Sequence, residues 1–109
     1  MVSIPVEQAF LELPQDERET IISHGAVLRL ADLKKQHFLA THKIREFEEL
    51  YHTTLSQLEQ KGLPDDASYT MHEDYILWRH WISVAEETDK RILALEHIVQ
   101  QGLFIRNFG

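Results

Sequence analysis

From Leu30 onward one seam runs along the chain at steps of three and four: Leu30, Leu33, His37, Ala40, Ile44, Phe47, Tyr51, Thr54 and Leu58. Such alternation keeps one edge of a helix against a neighbouring helix. A second apolar segment follows, and it has two edges. Tyr75, Trp78, Ile82, Ala85, Ile92 and Val99 share one; Leu77, Trp81, Val84, Leu95 and Ile98 share the other. A single antiparallel neighbour covers only one edge, so the second needs other cover.

Breakers divide this pattern into elements. Ser3 as a cap and Pro5 in the first turn predict a short helix that Pro14 ends. Pro14 then suits the first turn of a second helix, with Asp16, Glu17 and Glu19 near its positive end. That helix runs to His24, and Gly25 either stops or bends it. Residues 26–61 contain neither Pro nor Gly, and their exposed positions hold good helix formers, which predicts one long helix. Gly62 and Pro64 stop it. Asp65–Ser68 reads as the loop. Thr70-x-x-Glu73 reads as a capping box, with Asp74 adding charge favourable to that helix end. The fourth helix runs to about Gln101, where Gly102 closes it. The apolar tail 102–109, with Phe104, Ile105 and Phe108, is expected to dock. The expectation is an all-α single domain over residues 1–109. It has short N-terminal helices within 3–24, then a long antiparallel helical hairpin over 26–101, and forms a helical bundle on association.

Composition narrows the function. The chain has 109 residues and a formal charge of −7, with ten acids against six bases in the first sixty residues and eight against five in the rest. That sign opposes binding to nucleic acid or an anionic membrane and suits a basic partner. There is no cysteine, which rules out disulfides and thiolate chemistry and fits a reducing cytoplasm. No apolar run reaches the ~18 residues that a membrane span needs. The opening MVSIPVEQAFLELPQ lacks the basic and apolar regions of a secretory leader. A cytoplasmic protein is expected.

Candidate chemistry is sparse. Glu49-x-x-His52 places a carboxylate and an imidazole side by side on a helix, as di-iron bundles do, but no second such pair exists. Glu46-x-x-Glu49 matches the spacing of helical magnesium-dependent hydrolases. Phe47 faces the seam, however, and Lys43 and Arg45 lie beside it, which describes a solvated face. A metal-dependent hydrolase using Glu46, Glu49 and His52 with Glu73 or Asp74 is the outlying alternative. No nucleophile motif, glycine-rich phosphate loop or zinc-protease motif occurs. The expectation is no enzyme, no cofactor and no metal.

The aromatics point to association instead. Tyr and Trp bury large areas at little rotamer cost and anchor interfaces. Phe38 and Leu39 lie off the seam on the long helix and want cover. The expected partner-binding residues are Phe38, Leu39, Glu73, Asp74, Tyr75, Trp78 and Trp81. The partner is a second copy, a basic protein, or both.

One resemblance sharpens this. Lys43-x-x-Glu46-Phe47-Glu48-x-x-Tyr51, then Thr54-Leu55, Leu58-Glu59, Asp65-Asp66, His72-Glu73-Asp74-Tyr75 and Trp78 resemble a family of small helical bacterial and archaeal proteins. In these an EFEEKYG-like segment leads through an acidic loop to a HEDxxxW segment. The likeness covers about residues 33–95, and its motifs are rich in common helix residues. Some members are encoded beside a small RNase-toxin-like protein and are regarded as antitoxin-like partners. The resemblance implies a non-enzymatic protein that neutralises a small basic toxin by contact. At His52 the family usually has Gly, so here the helix is expected to run on. The chain also has no ribbon-helix-helix strand and no basic recognition helix, which leaves contact as its means. A self-associating structural bundle is the alternative.

Overall fold

The computed structural model describes residues 4–108, with side chains over residues 4–101. The fold is all-α: α1 (Val6–Leu11), α2 (Gln15–Tyr51), α3 (Leu55–Lys61) and α4 (Tyr69–Phe108), with α2 and α4 as the long hairpin pair. Two compact units divide the chain. One comprises Met1–Asp32 with Ile92–Gly109, and the other Leu33–Arg91.

In the first unit, Pro5 stands at the N-cap of α1 with no side-chain cap bond. Ser3, the expected cap, lies outside the described residues. The Arg18 Nη1 donates to the Leu11 carbonyl at 2.6 Å, placing a cation on the electronegative end of α1. Asp16 and Glu17 fill the first turn of α2. The helix passes through Gly25 without a break, so of the two expectations, a stop or a bend, the stop is excluded. A Cβ built at Gly25 meets nothing within 4 Å. The glycine there costs about 1 kcal/mol of propensity, too little to interrupt a cooperative helix of 37 residues. Among the described residues of this unit, Ala26 and Ile92 are the buried apolar ones.

At the other end, α4 continues through Gly102 to Phe108 rather than closing there. Glycine weakens a helix by about 1 kcal/mol relative to alanine but does not forbid its continuation. The side chains of Phe104, Ile105 and Phe108, expected to dock, lie outside the described residues.

The second unit holds most of the core: Leu33, Ala40, Leu55 and Trp78, with Thr88 as its buried polar residue. The Thr88 hydroxyl is satisfied within its own helix, donating to the carbonyls of Val84 at 2.7 Å and Ala85 at 3.2 Å. The seam of α2 holds as far as Tyr51 and then breaks. His52 takes a left-handed backbone at φ 54°. Thr54 caps α3, its hydroxyl accepting from the Gln57 N–H at 3.2 Å while the Gln57 side chain accepts from the Thr54 N–H at 3.4 Å. This reciprocal box starts a new helix, so the expected single helix over 26–61 is two.

The cap of α4 also differs from expectation. Ser68, not Thr70, precedes the helix, and its hydroxyl accepts from the Met71 N–H at 3.1 Å. Thr70 lies inside the first turn, where its side chain cannot serve the N-cap role. Ser68→Ala is therefore expected to lower stability by about 1 kcal/mol. Thr70→Ala should stay within about 0.5 kcal/mol of the parent. Circular dichroism melts of both variants check the assignment.

Candidate functional site

Within residues 33–91, α4 presents three flanks. The first faces α2. Trp78 is fully buried there, 0% exposed. It stacks on Phe47 at 5.6 Å and on Tyr51 at 5.9 Å between ring centroids, with interplanar angles of 21° and 19°. Its indole N–H has no hydrogen-bond partner among the described residues, a desolvation cost of about 1–3 kcal/mol. The aromatic stack outweighs it, because Trp brings the largest apolar area of any side chain.

Beside the stack, the Tyr51 hydroxyl donates to Asp74 Oδ2 at 2.5 Å. Burial first, then this bond, then the negative charge of Asp74 push the Tyr51 phenol up to about 12 from 10.0. The neutral phenol is thus the form that the fold favours. Its contribution to stability is fully present below pH 10 and is lost as pH rises toward 12. In an ultraviolet absorbance titration, one of the three tyrosines is expected to ionise well after the others. Tyr51→Phe should delete that late step. Retention of the late step in the variant would overturn its assignment to Tyr51.

The second flank of α4 lies beneath α3. The Tyr75 hydroxyl donates to Glu59 Oε1 at 3.2 Å, and Arg79 Nε stands 3.6 Å from the same oxygen. A groove of about 520 Å³ runs here, with Leu55 and Ile82 as its apolar lining and Ser56, Ser83, Glu59, Arg79 and Glu86 as its polar lining.

The third flank carries Leu77, Trp81 and Val84 at helical steps of four and three. Leu77 is 49% exposed, and Trp81 and Val84 are half-buried. Trp81 has an edge-on contact with His80, 5.1 Å between centroids. On α2, Phe38 is 73% exposed and stacks loosely on His42 at 6.4 Å, and Leu39 is exposed too. Within residues 33–91, six large apolar side chains are exposed (Phe38, Leu39, Leu50, Tyr69, Ile76, Leu77) against three that are buried (Leu33, Leu55, Trp78).

The residues expected to bind a partner therefore separate. Phe38, Leu39 and Glu73 are exposed, and Trp81 is half-exposed. Trp78 is a correction: it is core and offers a partner nothing, because its ring is enclosed by Phe47 and Tyr51. Asp74 and Tyr75 are half-buried and engaged inside the chain, with Tyr51 and Glu59 respectively. Leu50, Ile76 and Leu77 were not among the expected contacts. Leu77 sat on the second apolar edge of its helix all along, which was the signal for it.

The candidate metal residues do not converge. Glu46 is 3.2 Å from His42 and 3.7 Å from Lys43. Glu49 and His52 are exposed. Among the described residues no group of three or more His, Asp or Glu side chains is placed to hold a metal ion. Nor, among those residues, is any helix long and apolar enough to cross a membrane. Compared with family models, with curated proteins and with solved structures, the chain matches none.

Proposed function

We propose that this chain is a non-enzymatic helical module that binds a protein partner. The contact is carried by the Leu77–Trp81 edge of α4 together with Phe38 and Leu39 of α2. One observation supports this most: over residues 33–91 exposed large apolar side chains outnumber buried ones, six to three. Exposed apolar groups of this kind mark interaction surfaces, and Trp is the favoured anchor within them.

The charge of −7 favours a basic partner, since opposite fields speed encounter and select register. The resembled antitoxin-like family suggests its class: a small basic RNase toxin, blocked when carboxylates of this chain stand where RNA phosphates would bind. A cytoplasmic setting fits a chain without cysteine.

The test is capture from native cells with the wild-type chain and with Leu77→Asp as parallel baits, read by mass spectrometry. A basic protein held by the first and lost by the second supports the proposal. Identical captures on both baits sink it. Recovery of the chain itself as the sole partner, with a dimer mass by light scattering, replaces it with the self-associating bundle.

A further inference from the structure

We propose that α3 is a flap hinged at residues 52–54. In a second conformation it runs straight on from α2 and uncovers the Tyr75–Ile82 flank of α4. This rests on the partner-binding reading for its purpose, but not for its physics.

Three observations carry it. First, residues 26–61 hold neither Pro nor Gly, and their composition favours an unbroken helix. The break falls at His52-Thr53-Thr54, weak helix formers that disfavour a continuous helix without forbidding it as Pro would. Second, the break depends on His52 at φ 54°, a left-handed backbone that side chains other than glycine adopt only against a steric cost. The Thr54–Gln57 capping box, with bonds of 3.2 and 3.4 Å, offsets that cost locally. Third, α3 is seven residues long with Leu55 as its one buried residue, and Glu59 links it to α4 through Tyr75 and Arg79. So short a helix has little stability of its own.

Both conformations give the apolar residues of α3 a place. In the closed form Leu55 lines the groove against Ile82. In the straight form Leu55 and Leu58 follow Tyr51 at steps of four and three and prolong the α2 seam. Residues 62–68 have no helical structure, and Gly62 sits at φ 76° with open space around it. This segment can span up to about 23 Å, which lets α3 swing while α4 stays in place. Opening enlarges the exposed face of α4 from the Leu77–Trp81 edge to include Tyr75 and Ile82. The flap thereby regulates how much of α4 a partner can reach.

The absence of native cysteine makes a direct test simple. Ser56 and Ser83 line the same groove from α3 and α4. Spin labels on Ser56→Cys and Ser83→Cys in the full chain report their separation by pulsed dipolar spectroscopy. A short and a long distance population are expected. Thr54→Ala should raise the long-to-short ratio by about fivefold through the lost cap. His52→Gly should lower it by about fivefold, because glycine removes the left-handed cost. One unchanged short distance in all three proteins overturns the flap, and so does a fall in melting temperature for Thr54→Ala with no long population. Neither result bears on whether the Leu77–Trp81 edge binds a protein, which the capture experiment decides alone.

Discussion

Trp78→Ala is expected to cost about 3–5 kcal/mol, enough to remove most of the stability of a chain this size. The ring is completely enclosed, so truncation leaves a cavity and not merely lost contact. Phe47 and Tyr51 both stack on it, so one substitution dissolves two aromatic pairs. The Tyr51–Asp74 hydrogen bond loses its wall at the same time. Trp78→Phe separates the contributions. It keeps an aromatic ring in the stack and deletes the unpartnered indole N–H, so its cost should be well under half that of alanine. Thermal melts followed by circular dichroism decide the matter. A Trp78→Ala protein that melts within a few degrees of wild type would mean that Trp78 is not the keystone of this unit.

Trp81→Ala, three residues on, is expected to behave in the opposite way. The side chain is half-buried, and its recorded ring contact is with the neighbouring His80. Losing it should cost the fold about 1 kcal/mol and leave the helices formed. Partner affinity, by contrast, should fall about thirtyfold or more, the scale of a hot-spot aromatic worth about 2 kcal/mol. Isothermal titration with the captured partner measures this. Unchanged affinity in a folded Trp81→Ala protein would move the interface away from this edge. A loss of helix content equal to that of Trp78→Ala would make both tryptophans core.

The difference between these two residues was only partly legible in the sequence. Steps of three and four located Leu33, Ala40, Phe47, Trp78 and Ile92 on seams, and they are buried or half-buried as that spacing requires. The same steps put Trp81 on an apolar edge as good as that of Trp78. Which edge faces α2 is a tertiary fact, and it depends on where α3 comes to lie. The end of α2 was missed for a different reason. Thr54-x-x-Gln57 has the form of a capping box, but it lies inside a run of residues without Gly or Pro, and the run alone predicted one helix. Thr70 was expected as the cap because Glu73 stands three residues on, and Ser68 was read as loop. In the fold Ser68 reaches the Met71 N–H, and the box has no role. Of the residues expected to meet a partner, Phe38 and Leu39 are exposed and Trp81 is half-buried. The exposure of Leu77, Ile76 and Leu50 is something periodicity alone does not supply.

The unequal burial of the two tryptophans has an optical consequence. They are the only two in the chain, one sealed in an aromatic stack and one half-buried on the proposed contact edge. Their fluorescence should therefore resolve into two emitters. Trp78 gives a blue-shifted component that iodide cannot quench. Trp81 gives a red-shifted component that iodide quenches readily. A partner seated on the edge would shield the second and leave the first untouched, while unfolding would shift both to the red. The protein thus carries its own unlabelled reporter, able to tell occupancy of the surface from loss of the fold in a single spectrum.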